Sequence, residues 1–401
     1  MAKSYSVVVG LNPALQKRFI LGGNNPTLVP GNVHRASEGQ TGIGGKGQDV
    51  AVTIGCLSNP GYSNVLLAQF LGKGPVGDLA LSKVKESLHE ANASESTVDY
   101  LTIRCEASLR TCTTIVAESS ATELVEPSGE ITDIEVSQLL DKVNKISKLG
   151  EVKGLCFMGS MPPGCKSNMY ADIFKNIMGS GSDAIVLIDS VVGIKELFRE
   201  MKLIENRRRG SNMMKINFGE LCKLAKVPIK TEIMNTNADQ LKEIVKSFFE
   251  NFKDASEAID FLAITNGCHD AFLVETSRHG DGVEIESIFQ ISVPSLSKVL
   301  HHSTKIFPIG AGDSVAGGTL AAWEYLNSSN NQANRLHPDI HRALSNKMKQ
   351  IENVAAVAFA YGVACGSASC VQEENSVVSV ADTLALFDEI DVRVVKSNCS
   401  D

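Results

Sequence analysis

Short apolar runs of strand length alternate with helical segments along most of this 401-residue chain. The strand-like runs cover residues 7–11, 64–70, 154–159, 184–189, 213–217 and 261–265. Helical segments lie between them at 76–89, 135–149, 168–178, 193–203 and 238–252, and a last one at 350–364 follows. This alternation predicts a mostly parallel sheet with helices on both faces. We therefore expect one α/β domain with three layers, α/β/α, over residues 1–401.

Composition excludes several classes of partner. The formal net charge of −8 argues against a general nucleic-acid or anionic-membrane surface. No window approaches the roughly 18 apolar residues of a membrane span, and the strand-like start at Val7 leaves no room for a signal peptide. The ten cysteines are scattered, without a C-x-x-C pair, as in reduced proteins. We expect a cytoplasmic protein with neither a nucleic-acid nor a membrane partner.

A glycine-rich turn enters a helix at residues 307–318. Gly310 and Gly312 flank Ala311, and Asp313 follows, before a run of small and apolar residues. The free N–H groups at the start of such a helix carry partial positive charge and suit an anion. Asp313 beside that anion is placed to take a proton from a hydroxyl, as phosphoryl transfer to an alcohol requires. The alternative is a structural turn in which Asp313 caps the helix.

Other polar or small residues follow the ends of the strand-like runs, where ligands gather in parallel sheets. They are Asn12, Gly159, Asp189, Asn217 and Thr265. A second glycine-rich stretch, residues 41–49, precedes the apolar helix at 50–57. The glycine-rich turn at 307–318 also follows this rule.

Two further segments do not follow the alternation. Residues 17–38 form an irregular, hairpin-like excursion, and the β-branched runs at 100–104 and 111–118 have strand length. We expect them to form a small separate sheet, a lid made of residues 17–38 and 98–118. A hairpin is expected over 271–292. The polar stretch 327–348 is interpreted as a surface insertion.

Four of these stretches, in the same order, resemble the ribokinase/PfkB family of sugar kinases. They are Gly44–Gly47, Gly159–Gly164, Lys215–Glu220 and Gly310–Ser314. Segments Leu11–Leu15 and Gly31–Arg35 are similar, more narrowly, to the branch that phosphorylates sugar phosphates, such as 1-phosphofructokinase and tagatose-6-phosphate kinase. The resemblance implies a ribokinase-like fold and ATP-dependent transfer of a phosphoryl group.

The resemblance also implies roles at the phosphoryl-transfer centre. Asp313 would be the catalytic base, and the turn of Gly310, Ala311 and Gly312 would bind the transferred phosphoryl group. Asn217 and Glu220 would order Mg²⁺, although the same pair is a helix capping box. The nucleotide would contact Lys215, Thr265, Gly267, Ala364 and Gly366. For Ala364 and Gly366, each taken singly, close helix packing is the alternative explanation.

For the acceptor, the resemblance implies a sugar site and a site for the sugar's own phosphate. Arg35 and Arg110 would bind that phosphate. The sugar would contact Asn12, Gln16, Gly45, Lys46 and Asp49. The chain departs from the family pattern at Gln16, where an Asp is usual, and at Asp49, where an Asn is usual. We expect Asp49 to have taken over binding of a sugar hydroxyl.

The sequence therefore predicts an ATP- and Mg²⁺-dependent kinase for a phosphorylated ketohexose of the fructose 1-phosphate, fructose 6-phosphate or tagatose 6-phosphate type. One alternative is a kinase for an unphosphorylated sugar or nucleoside, in which Arg35 and Arg110 serve only the lid. Another is a catalytically weak homologue with a regulatory role. The resemblance also implies a possible homodimer formed through the lid.

Overall fold

A computed structural model describes residues 3–22, 27–59, 64–89, 97–117, 121–179, 181–204, 208–228, 238–279, 282–300, 306–328 and 335–395. Ten strands form a large sheet: β1 (Ser4–Val9), β4 (Val65–Gly72), β5 (Thr102–Cys105), β8 (Glu151–Met158), β9 (Ile185–Asp189), β10 (Asn212–Asn217), β11 (Phe261–Asn266), β12 (His269–His279), β13 (Gly282–Ile291) and β14 (Val392–Val394). Their order is β14-β13-β12-β11-β10-β9-β8-β1-β4-β5.

The seven strands from β11 to β5 are parallel, and β12 to β14 are antiparallel. The predicted mostly parallel sheet is confirmed, and so is the hairpin, as β12 and β13. The parallel strands are buried on both faces; in β1, Val7 and Val9 face one hydrophobic cluster and Val8 faces the other. This is why their sequences read as continuous apolar runs.

Thirteen α-helices are found in the described ranges. They are α1 (Lys46–Leu57), α2 (Pro75–Ser87), α3 (Thr97–Leu101), α4 (Asp133–Val143), α5 (Met169–Met178), α6 (Ile194–Met201), α7 (Phe218–Ala225), α8 (Ala238–Asn251), α9 (Ala255–Ala258), α10 (Ala311–Asn327), α11 (Pro338–Met348), α12 (Val354–Ser369) and α13 (Val380–Glu389). Helices α4 to α9 cover one face of the sheet, and α1, α2 and α10 to α13 cover the other. The three-layer α/β/α architecture is confirmed. None of the described helices is long and apolar enough to cross a membrane.

A second, four-stranded sheet has the order β3-β2-β6-β7. Its strands are β2 (Ala14–Leu21), β3 (Ala36–Gly44), β6 (Thr111–Val116) and β7 (Ala121–Val125). Assigning 98–110 to this sheet was wrong, because Thr102–Cys105 pairs in parallel with β4 at the edge of the large sheet. A β-branched run fits either sheet locally, and only the long-range pairing decides.

The stretch 327–348 is only partly a surface segment. Its second half is α11, in which Ile340 and Leu344 are fully buried against the second hydrophobic cluster. Leu336 forms an isolated bridge with Ser58. Residues 329–334 lie outside the described part of the chain. Two buried side chains one helical turn apart are a weak pattern in a polar sequence, so the packed helix was missed.

Candidate active site

The turn at 310–313 starts the 17-residue helix α10. Gly310 is its N-cap with φ +86°, a conformation that favours glycine. The Gly310 carbonyl accepts from the Ser314 amide at 2.9 Å and from the Ser376 hydroxyl at 3.1 Å. Asp313 lies inside the first turn and no side chain caps this helix, so the alternative that Asp313 is a helix cap is not observed. The positive end of the helix therefore faces the cleft.

Asp313 lies half-buried among four charged side chains. Burial raises its pKa to about 7, Lys46 and Lys215 oppose the rise, and Asp189 and Glu220 add to it. A carboxyl that titrates near neutrality is suited to take and release a proton. The Ala311 amide donates to the Pro308 carbonyl at 3.2 Å, which leaves the next amides of the turn as the donors for an anion.

Two lysines converge on Asp189, at the end of β9. Lys46 Nζ lies 2.7 Å from Asp189 Oδ1, and Lys215 Nζ lies 2.5 Å from Oδ2. Burial alone would raise the pKa of Asp189, but the two ammonium groups outweigh it and lower that pKa. Burial lowers the pKa of Lys46, yet the carboxylates of Asp189, Asp313 and Glu220 raise it overall. Lys46, from α1, and Lys215, from β10, are thus held at the same carboxylate.

Sequence reasoning placed Asp189 at a strand end but gave it no role. The sequence feature that could have identified Asp189 is an acidic residue at the end of the apolar run of β9. A buried acid needs a charged partner, so a nearby cation could have been expected. Lys215 also lies close to the glycine-rich turn. A Cβ atom built on Gly312 would be 3.8 Å from Lys215 Nζ.

Asn217 and Glu220 form the capping box of α7. Glu220 N donates to Asn217 Oδ1 at 2.8 Å, and Asn217 N donates to Glu220 Oε2 at 3.0 Å. Glu220 Oε1 lies 3.9 Å from Lys46 Nζ and borders the cleft. One carboxylate oxygen at a phosphate site fits Mg²⁺, which keeps most of its waters and uses few protein ligands. Among the described residues, no group of three or more His, Cys, Asp or Glu side chains gathers to hold a metal.

Next to these charges lies a cavity of about 250 Å³. Its polar lining consists of Asn12, Lys46, Gln48, Arg110, Ser160, Ser190 and Glu220. Asn12 donates to Ser160 Oγ at 3.0 Å and accepts from Ser128 Oγ at 2.9 Å. Arg110 donates to the Asn12 and Pro13 carbonyls at 2.9 and 3.3 Å. Asn12, Lys46 and Arg110, all predicted for the acceptor, therefore line one cavity.

Two other predicted acceptor residues are buried, Gln16 in β2 of the small sheet and Asp49 in α1. Gln16 donates to Thr114 Oγ1 at 2.7 Å, so its amide nitrogen is used within that sheet. Asp49 is 5% exposed, and within the described structure its Oδ1 has no hydrogen-bond partner. Burial, Asp313 and Glu123 together raise the pKa of Asp49 well above its usual range, although the Ser376 hydroxyl opposes this. Gly45 is the N-cap of α1, with φ +111°.

The remaining predicted residues do not join this cluster. Arg35 is exposed before β3 and is not among the residues that line the cavity. Thr265 and Gly267 lie at the open turn that follows β11, and Gly267 has φ +61°. Ala364 and Gly366 are buried in α12; a Cβ on Gly366 would lie 2.8 Å from the Ala311 carbonyl. These surroundings show close helix packing, the alternative explanation, and a nucleotide contact by Ala364 and Gly366 stays a prediction.

Comparison with known families places the chain in one of them. A family model described as pfkB family carbohydrate kinase matches residues 21–374. The chain belongs to this family. It is therefore a carbohydrate kinase, and kinases of this family use ATP.

Solved structures show the same fold for this kinase. Phosphofructokinase-2 from Escherichia coli is 18% identical with a TM-score of 0.64, over 97% of this chain and 99% of that one. A possible 1-phosphofructokinase from Thermotoga maritima is 16% identical, TM-score 0.64, over 98% and 100%. Ribokinase from Giardia lamblia is 15% identical, TM-score 0.63, over 96% and 99%. At these identities the likeness concerns the fold, which is ribokinase-like as predicted.

Proposed function

We propose that this carbohydrate kinase transfers the γ-phosphoryl group of ATP to a hydroxyl of a phosphorylated ketohexose, with Asp313 as the base. The observation that carries the proposal is the position of Asp313. Its carboxyl has a pKa raised to about 7 at the positive end of α10, in the same cleft as the Lys46 and Lys215 cations. A base, an anion-binding turn and two cations are the groups that phosphoryl transfer to an alcohol needs.

The chemistry follows from this arrangement. The acceptor hydroxyl oxygen forms a bond to the γ-phosphorus, and the bond from that phosphorus to the bridging oxygen of ADP breaks. The hydroxyl proton passes to the Asp313 carboxylate. In the turn of Gly310, Ala311 and Gly312, the free amides that follow Ala311 stabilise the negative charge on the transferred group, and Lys215 binds the phosphates of the nucleotide.

Glu220 and Asn217 would hold Mg²⁺ through its waters. Support comes from the carboxylate oxygen that Glu220 presents to the cleft while its other oxygen is used in the capping box. When bound, the metal neutralises charge on the nucleotide phosphates. Thr265 and Gly267 are proposed to contact the nucleotide from the turn that follows β11.

The acceptor is proposed to occupy the cavity that Lys46 and Arg110 line. Arg110 has N–H groups beyond those that bind the Asn12 and Pro13 carbonyls, and with Asn12 and Ser160 it suits a phosphate. Arg35 would reach the same phosphate from the small sheet, which we propose acts as a lid that excludes water. Asp49, Gln16 and Gly45 would contact the sugar under this lid.

A panel of acceptors tests this function. ADP release with ATP and Mg²⁺ would be measured for fructose 1-phosphate, fructose 6-phosphate and tagatose 6-phosphate, and for fructose, tagatose, ribose and adenosine. We expect a phosphorylated ketohexose to give the highest kcat/KM, and Arg110→Met to lower it mainly through KM.

The position of Arg35 outside the cavity favours the alternative, a kinase for an unphosphorylated sugar or nucleoside. Preference for one of those acceptors, unaffected by Arg110→Met, would establish it.

The small sheet is also the proposed dimer surface. Phe19 and Leu124 lie on the same face of this sheet, 38% and 58% exposed, on the side opposite Gln16 and Arg18. Exposed apolar side chains on one sheet face suit a second copy of the chain. Light scattering of the wild type and of Phe19→Ser tests this: a dimer that the substitution weakens is expected, and a monomeric wild type contradicts it.

A further inference from the structure

An arginine in the middle of the small sheet is buried against the body of the protein. Arg18, in β2, is only 4% exposed. Its Nη1 donates to the Glu373 carbonyl and its Nη2 to Asn375 Oδ1, and its guanidinium lies 4.9 Å from the centre of the Phe307 ring. Gln40, in the neighbouring strand β3, donates to Glu373 Oε2 at 2.8 Å. Two side chains of the small sheet therefore hold residues 370–379, which we call the bridging loop.

The bridging loop also contacts the turn that begins α10. Ser376 Oγ donates to the Gly310 carbonyl at 3.1 Å, and the Phe307 amide donates to the Cys370 carbonyl at 2.8 Å. Ser376 has φ +59°, a conformation that a non-glycine residue rarely adopts. Thr53, in α1, donates to the Ser376 carbonyl at 2.8 Å and so fixes it from the other side. An unusual backbone conformation held by several partners occurs where a loop must be placed accurately.

The energetics of Arg18 indicate a role beyond strand pairing. Its two hydrogen-bond acceptors are a backbone carbonyl and an amide oxygen, and burial lowers the pKa of the guanidinium more than the nearby Glu373 carboxylate raises it. Removing a guanidinium from water is costly unless its hydrogen bonds and its aromatic contact are made. Arg18 is therefore favourable only when the small sheet and the bridging loop are in register with each other. The position of one fixes the position of the other.

We propose that Arg18 is a positioning residue that couples the seating of the small sheet to the geometry of the phosphoryl-binding turn, through Asn375 and Ser376 of the bridging loop. An acceptor under the lid would thereby order the turn that the nucleotide phosphates meet. The expected effect on catalysis rests on the proposed function. The physical link, meaning the chain of contacts from Arg18 through the bridging loop to the turn, does not.

Hydrogen exchange tests the physical link without any substrate. The variants are Arg18→Met, which removes the donors, and Lys17→Met, a matched control that removes a cation from the adjacent position of the same strand. We expect peptides covering 306–318 and 370–379 to exchange about tenfold faster in Arg18→Met and as in the wild type in Lys17→Met. Peptides of β8 and α5 should not change. The link would be overturned if peptides covering 306–318 exchanged at the same rate in Arg18→Met as in the wild type. It would also be overturned if exchange were faster throughout the variant.

Kinetics of the same variants test the coupling to catalysis. A misplaced turn should lower kcat by about 10- to 100-fold with little change in the KM for ATP. Arg18→Lys should recover part of the loss, because an ammonium replaces one of the two hydrogen bonds. Ser376→Ala combined with Arg18→Met should be little worse than either alone, since both break the same chain of contacts. Strictly additive losses, or an unchanged kcat in Arg18→Met, would contradict the proposal.

The two levels fail in distinguishable ways. If the wild type phosphorylates no acceptor of the panel, the proposed function is wrong, and hydrogen exchange still decides the link. If the wild type is active while Arg18→Met matches it in both exchange and kcat, the coupling is wrong and the proposed function stands.

Discussion

Asp313 lies between two opposing sets of charges. Lys46 and Lys215 favour its ionised form, whereas burial, Asp189 and Glu220 favour the neutral form. Asp189 forms ion pairs with both lysines. Their ammonium groups are therefore held near Asp313 while they pair with another carboxylate. A single carboxyl can thus act as a base near neutral pH.

The first prediction concerns the pH profile. Asp313 must be deprotonated to act, and its pKa is raised to about 7, so kcat/KM should fall as the pH drops below about 7. The measurement is kcat/KM for the best acceptor across the range from about pH 5 to 9. Lys46→Met removes a charge that lowers the pKa of Asp313, so this acidic limb should move to higher pH.

Lys153→Met is the matched control for that profile, because Lys153 pairs with Glu151 at the start of β8, away from the cleft. Its profile should coincide with that of the wild type. A flat profile through neutral pH, or a limb that moves to lower pH in Lys46→Met, would contradict the assignment.

A second prediction concerns Asp49, the buried acid whose Oδ1 has no described partner. Asp49→Asn should raise the KM for the acceptor by about tenfold, as the loss of one good hydrogen bond to a hydroxyl does. The KM for ATP should not change. Thermal unfolding should occur at the same or a higher temperature, because Asn carries no charge to desolvate. An unchanged acceptor KM would show that Asp49 does not bind the sugar.

At the scale of elements, α12 packs against the start of α10, where the proposed phosphoryl-binding turn lies. They pack so closely that a Cβ on Gly366 would meet Val315 Cγ2 at 2.5 Å and the Ala311 carbonyl at 2.8 Å. The sequence predicted both helices, but it did not decide whether the small residues of α12 line a pocket or a helix contact. That choice depends on the neighbouring helix, about 50 residues away in the chain, which local pattern does not contain.

The third prediction is that Gly366→Ala destabilises the protein. Helix propensity alone would stabilise it by about 1 kcal/mol. Overpacking against Ala311 and Val315 costs about 1–3 kcal/mol and should outweigh this gain. Because Ala311 must move, kcat should also fall. Thermal unfolding and kcat check this.

Gly42→Ala is the matched control for this substitution. Its Cβ would meet no atom within 4 Å, so its stability should change by less than about 0.5 kcal/mol. Equal stability of the two variants would show that the α10–α12 contact is not tight.

At the scale of the whole molecule, the parallel sheet follows from the sequence, because strands buried on both faces read as continuous apolar runs. The small sheet was only partly predicted, since Thr102–Cys105 has the same local pattern as a strand of either sheet. Asp189 and Arg18 received no role, because their partners are distant in the chain: Lys46 and Lys215 lie 143 and 26 residues from Asp189, and Asn375 lies 357 residues from Arg18. Such contacts arise only from the assembled fold.

The central claim is that Asp313 removes the acceptor proton beside the phosphoryl-binding turn. The most direct measurement is single-turnover phosphoryl transfer by wild type and Asp313→Asn, with ATP affinity and circular dichroism measured on both. The account predicts native circular dichroism, an ATP affinity no weaker than that of the wild type, and a transfer rate lower by about 10²- to 10⁴-fold. A transfer rate equal to that of the wild type would contradict it.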